Sequence, residues 1–170
     1  MRATVAVVAS LLFLGGCATA PKTYDFDPVA VIDADFDDVW SAVVEYFAIS
    51  SLPIDTIEKD SGLIVTSWMD ASGGYGGADE RFCDCGSGGL TTYYWTRGKF
   101  NVFVKESAAG GVDLRVTCTY QQRRGVLDTN ATVSCPSTGY LEMQLHDYIR
   151  AKVSGGVVPA VPTFTPGEMS

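Results

Sequence analysis

Cys83, Cys85, Cys118 and Cys135 are the densest set of reactive side chains in a sequence that holds a single histidine. Four thiols can bind zinc, run thiol–disulfide chemistry or close two disulfides. Structural zinc sites favour two C-x2-4-C knuckles, whereas this chain offers one C-x-C and two isolated cysteines. A redox C-x-C pair needs a helix amino terminus or basic neighbours to lower a thiol pKa, and Arg81 is the one basic residue beside it. Two disulfides are therefore expected. A bridge between Cys83 and Cys85 would be strained. The open pairings are Cys83 to Cys118 with Cys85 to Cys135, or Cys83 to Cys135 with Cys85 to Cys118. Either set closes loops of roughly 30 to 50 residues, each worth on the order of 3–4 kcal/mol in the loop-entropy description.

The other reactive groups are sparse. A nucleophile triad would have to use His146. In a helix that residue lies four positions from both Glu142 and Arg150, away from Leu141 and Leu145, so it is expected in a solvated ion-pairing row. Asp33, Asp35, Asp37 and Asp38 lack the D-x-[DN]-x-[DN]-G calcium loop and suit helix initiation. Asp79, Glu80 and Asp84 are spare oxygen donors in a glycine-rich stretch. No catalytic residue, metal or cofactor is expected.

The amino terminus carries an address. Arg2 precedes the apolar stretch 3–13, which is too short for a permanent span of roughly 20 helical residues and reads as a signal peptide over 1–16. That leader points to an oxidising compartment, which favours disulfides. Its end, Leu14-Gly15-Gly16-Cys17, resembles the bacterial lipobox. The resemblance implies a diacylglycerol thioether on Cys17, cleavage before it, and palmitate or a similar acyl chain on the exposed amine. Two or three acyl chains, at about 0.8 kcal/mol per buried methylene, would hold the chain at a membrane without a transmembrane helix. Ala18 after the cysteine implies, by the same resemblance, sorting to the outer membrane with the body facing the periplasm. Residues 17–25 would form a solvated, lipidated tether.

Twenty acidic residues against 12 basic ones give a net charge of −8, which offers no footprint for a phosphate backbone. Nucleic acid is excluded as a partner on that ground. The charge is uneven: residues 17–85 hold three basic and 14 acidic side chains, and residues 86–170 hold eight and six. If these residues segregate in space, the acidic half would be repelled by anionic glycans or lipids and would suit a basic partner protein; a merely solvated surface is the alternative.

These groups must be positioned by one domain, expected over 26–154. An apolar run at 29–32 predicts an opening strand. Asp35 predicts the cap of a helix whose apolar stripe is Phe36, Val39, Trp40, Val43 and Phe47. Residues 54–58 and 63–68 predict a hairpin turning at Lys59-Asp60-Ser61-Gly62. The insertion 71–89, with seven glycines, predicts a long loop held at Cys83 and Cys85. Separate strands are predicted at 91–96 and 100–104. The clearest period-two signal then sets Val112, Leu114, Val116, Cys118 and Tyr120 toward the core. A polar excursion through Arg123-Arg124-Gly125 leads to a short piece at Thr132-Val133. Ser137 or Thr138 caps a final helix with Leu141, Leu145, Tyr148, Ile149 and Val153 buried. Residues 155–170, with Pro159, Pro162 and Pro166, predict an extended or disordered tail. Trp68, Tyr75, Tyr93, Tyr94 and Trp95 flank or occupy the insertion and form a candidate recognition patch.

The expected fold class is α+β, a two-layer antiparallel β-sheet with two helices on one face in the order β-α-β-β-β-β-α. The lipobox, the helix Asp35-x-x-x-Val39-Trp40-x-x-Val43 and the hairpin from Ile57 to Trp68 resemble the helix-grip domains of the BamC family of lipoproteins, which serve outer-membrane β-barrel assembly. The resemblance covers about a third of the chain. This chain departs from that pattern by its single domain, its cysteines and its insertion. What the resemblance implies is a non-enzymatic accessory module in the bacterial cell envelope with a protein partner. A carrier of a small apolar ligand or lipid, and an envelope hydrolase with two converging acids, are the competing expectations.

Overall fold

A computed structural model describes residues 18–88, 90–126 and 129–164. The leader 1–16 and Cys17 lie outside the described residues. The elements are β1 (Val29–Ile32), α1 (Phe36–Ser50), β2 (Ile54–Glu58), β3 (Leu63–Thr66), β4 (Met69–Asp70), β5 (Thr91–Glu106), β6 (Val112–Val126), β7 (Thr129–Cys135) and α2 (Tyr140–Val153).

The fold is α+β: seven antiparallel strands and two helices. Its axis is the β5/β6 hairpin, paired from Thr91 opposite Val126 to Glu106 opposite Val112, with one irregularity between Tyr93 and Trp95. The edge of β6 is shared by β1 at 112–115 and β7 at 120–126. The edge of β5 is shared by β3 and β4, and β2 lies outside β3.

Alternation decides which face is dry. Phe100, Val102, Val104, Val112, Leu114 and Val116 point to one side and are almost fully buried. Both helices pack on that side. From α1, Val39, Val43, Tyr46 and Phe47 are buried, and Phe47 meets Phe100 edge-on at 6.3 Å. From α2, Leu141, Leu145, Tyr148 and Ile149 are buried, and Tyr148 meets Tyr46 at 5.2 Å. The rim of this helix pair is fastened by Glu45, whose carboxylate accepts from Lys152 Nζ at 2.7 Å and from the Tyr148 hydroxyl at 3.2 Å.

Several expectations change. Residues 91–96 and 100–104 are one strand, because Arg97-Gly98-Lys99 continues the ladder instead of turning it. The stretch Arg123-Arg124-Gly125 is likewise strand, paired to β7. That adds β4 and a full-length β7 to the anticipated order. The cap of α2 is Gly139, at φ +82, where a Cβ would strike the Phe26 ring at 2.6 Å. Ser137 and Thr138 still serve the helix start, their hydroxyls accepting from the N–H groups of Gly139 at 3.1 Å and Tyr140 at 3.3 Å. The insertion is fastened by Ala71 N to Thr96 O, Asp79 N to Ala71 O and Asp84 N to Pro136 O. The tail is docked as far as Phe164, whose N–H donates to Ser50 O at 3.0 Å while its ring packs on Phe82 at 5.6 Å. The tether is not simply solvated either: Thr19 and Ser87 exchange two backbone hydrogen bonds.

Candidate functional site

Among the described residues, no helix covers the second face of the sheet. The strand register places Trp95, Arg97, Lys99, Asn101 and Phe103 of β5 there, beside Arg123, Gln121, Thr119, Thr117 and Arg115 of β6. Val29 and Val31 of β1, Leu63 and Val65 of β3 and Thr132 and Ser134 of β7 extend it. Val31 is 59% exposed and Phe103 38%.

The centre of this face is a cation held between two indoles. Arg97 Cζ lies 4.3 Å from the Trp68 ring centroid and 4.6 Å from that of Trp95. Its Nη2 donates to Gln121 Oε1 at 3.0 Å, and its Nε is buried without a partner. Each cation–π contact contributes about 0.5–1 kcal/mol at an exposed site and more where water is excluded. The stack is a platform of two rings and one cation with one polar group still unsatisfied. The strand register brings five basic residues to the face (Arg97, Lys99, Lys105, Arg115, Arg123) against three acidic ones (Glu58, Asp70, Asp113), of which Asp70 lies directly opposite Arg97. On a chain of net charge −8 this is a local reversal of sign.

The five aromatic residues of the candidate patch do not act together. Trp68 and Trp95 form the platform. Tyr75 stands fully exposed at a turn with φ +58, and Tyr94 is 49% exposed at the β5 irregularity. That irregularity reverses the alternation, so Tyr93 turns to the helix side and lines a separate cavity. The platform's third member, Arg97, carried no sequence signal beyond its position two residues after Trp95.

The cysteines give one bridge, not two. Cys85 and Cys135 are disulfide-bonded, with Cα atoms 4.6 Å apart. Cys83 and Cys118 are free. Register explains the difference: Cys135 pairs with Tyr120, so Cys118 sits two residues further along β6 and beneath α2. There its backbone N–H donates to Glu142 Oε1 at 3.2 Å. Burial, then the Glu142 charge, pushes the Cys118 thiol well up, and burial pushes Cys83 up to about 12. Both are therefore very little ionised at neutral pH. The sulfurs of Cys83, Cys85 and Cys135 lie within 4.8 Å of one another, a spacing suited to a soft cation only when all three are reduced thiolates.

Beside them is a cavity of about 460 Å³ between the amino-terminal segment and the insertion, lined by Tyr24, Cys83, Asp84, Cys85, Tyr93 and Gln122 among others. Gln122 Oε1 is buried there without a partner. Asp84 is held below the usual carboxylate range by the Gly86 N–H at 2.8 Å, and then by Lys22.

His146 is buried, 4% exposed, which corrects its expected place in a solvated row. Glu142 is buried too, because α2 lies on the sheet along a wider arc than its apolar stripe. Burial lowers the His146 pKa, with Arg150 adding to the effect, and its Nε2 has no partner. Glu142 is the one buried carboxylate among the described residues, and both its oxygens accept hydrogen bonds, from Cys118 N and from Ser137 Oγ at 3.0 Å. Asp33, Asp35, Asp37 and Asp38 gather around the start of α1, Asp37 meeting Lys59 at 2.9 Å. Comparison of the chain with protein-family models and with curated proteins finds no match.

Proposed function

We propose that this protein is a lipid-anchored, non-enzymatic binding module of the outer membrane, with its body in the periplasm and a role in envelope assembly. The anchor is the acylated Cys17 that follows the lipobox-like Leu14-Gly15-Gly16. Two helices laid on one face of an antiparallel sheet agree with a helix-grip-like domain of the BamC kind.

One observation carries the reading: a helix-free sheet face combines a Trp68-Arg97-Trp95 stack, exposed Val31 and Phe103, and a basic majority. Interface anchors are enriched in tryptophan and arginine, and side chains already stacked and hydrogen-bonded to one another lose less entropy on binding than free ones. The partner that fits is a protein whose contacting segment is acidic with apolar side chains. The cation–π stack orients that segment and the surrounding Lys99, Arg115 and Arg123 attract it.

Growth on labelled palmitate, followed by crosslinking and recovery of the protein, tests both halves. Label should enter the wild-type chain and be absent from Cys17→Ser. A distinct protein should be recovered with the wild type and lost, or reduced at least tenfold, with Trp95→Ala. Absence of palmitate, or recovery unchanged by Trp95→Ala, overturns the reading.

A further inference from the structure

Three sulfurs meet beneath the insertion, and two of them are bonded. Cys83 Sγ stands 4.0 Å from Cys85 Sγ, and both lie within 4.8 Å of Cys135 Sγ. All three residues are almost fully buried. The backbone carrying Cys83 is fastened to the segment after Cys135 without help from the sulfur bond. Asp84 N donates to Pro136 O at 3.1 Å and Thr138 N to Phe82 O at 3.1 Å. Thr138 Oγ1 also donates to Phe82 O at 3.2 Å. Cys83 therefore stays beside Cys135 whichever sulfur holds the bond.

We infer that Cys135 has two disulfide partners, Cys85 and Cys83, and that the bridge passes between them by internal thiol–disulfide exchange. The Cys83 thiolate attacks Cys135 Sγ, and the Cys85–Cys135 bond breaks with its electron pair leaving on Cys85 Sγ. Cys85 then takes a proton from solvent, replacing the one Cys83 released. One S–S bond is lost and one gained, so no oxidant or reductant is consumed. Attack on Cys85 instead would close a strained C-x-C ring.

The exchange moves a pin. Residues 84–87 clasp the amino-terminal segment: Ser87 pairs with Thr19 at 2.9 and 3.0 Å, and Asp84 Oδ2 accepts from Lys22 N at 3.2 Å and from the Tyr24 hydroxyl at 3.5 Å. Gly86, at φ +67, lies so close that a Cβ would collide with the Thr19 carbonyl. With the bridge on Cys85 this clasp is covalently tied to β7. With the bridge on Cys83 the tie falls upstream of the clasp, and residues 84–87 are held by hydrogen bonds alone.

Exchange is slow at neutral pH because little Cys83 is ionised. Burial is the main cause, followed by the charges of Asp79 and Asp84 on the insertion; from β6, Tyr120 faces Cys83, and Arg124 donates to Cys85 O at 3.0 Å. The rate should rise about tenfold per pH unit below the thiol pKa.

Two measurements decide the inference. The Cys85→Ser variant, oxidised in air, quenched in acid, alkylated and digested without reduction, should give a Cys83–Cys135 peptide, with Cys118 alkylated. In the wild-type protein, alkylation should move from Cys83 toward Cys85 during incubation, about 100-fold faster at pH 9 than at pH 7, while Cys83→Ser shows no such change at Cys85. The wild-type series stands even if Cys85→Ser folds poorly. Alkylation that never reaches Cys85 after prolonged incubation at pH 9 overturns the inference, as does a folded Cys85→Ser variant with both Cys83 and Cys135 free.

Discussion

Glu142 and His146 sit one turn apart on α2, and both are buried where a surface row was expected. Glu142 is tolerable there because Cys118 N–H and Ser137 Oγ each give it a hydrogen bond. Glu142→Ala would strand the Cys118 N–H under the helix and should cost about 2–3 kcal/mol in urea unfolding, against about 1 kcal/mol for Ser137→Ala. Equal small losses would show that the carboxylate does not join α2 to β6. For His146 the sign follows from its lowered folded pKa. The native state holds it neutral, whereas the unfolded chain protonates it near the ordinary value of about 6.5. Its contribution is thus complete above that value and is lost as the pH falls from there through the folded pKa. Urea midpoints should drop between about pH 7 and 5 in the wild type, and His146→Leu should flatten that part of the profile. An identical pH slope in the variant would place the effect elsewhere.

Among the elements, the β5/β6 hairpin shows where a linear pattern succeeds and where it stops. The alternation from Val112 to Tyr120 was legible because each apolar residue there faces the helices. The join across Arg97-Gly98-Lys99 was hidden: glycine between two cations resembles a turn. In the folded sheet Gly98 lies opposite Tyr120, and a Cβ there would meet the tyrosine ring at 2.7 Å. Arg97 and Lys99 belong to the helix-free face. Gly98→Ala should therefore destabilise by about 1–3 kcal/mol through overpacking, measured by thermal or urea unfolding. No loss would mean that Tyr120 is free to move. The same blindness affected the site. Trp68 and Trp95 were visible as aromatics, but that Arg97 joins them depends on β4 and β5 pairing, which no local window reveals. The cysteine count suggested two bridges, whereas the second would need Cys118 to leave the underside of α2.

Over the whole molecule, the bridge and the clasp hold the insertion to β7 and to the amino-terminal segment, and the helix-free sheet face is where binding is proposed. The Cys85–Cys135 bond spans 50 residues and should contribute about 4 kcal/mol in the loop-entropy description. Cys135→Ser removes both possible bridges and should show the full loss. Cys85→Ser should lose distinctly less, since Cys83 can take its place; matching losses would speak against a shared partner. The proposed binding role has the Trp68-Arg97-Trp95 face engage a second protein while Cys17, acylated as proposed, would hold the chain at the membrane. A photo-crosslinking residue placed at Thr119, in the middle of that face, or at Ser41 on the exposed side of α1, tests this in growing cells. Thr119 should give a discrete adduct with a different protein, weakened by Trp95→Ala and by added salt in isolated envelopes, and Ser41 should give none. An adduct of equal strength from Ser41, or no adduct from Thr119, would contradict the account.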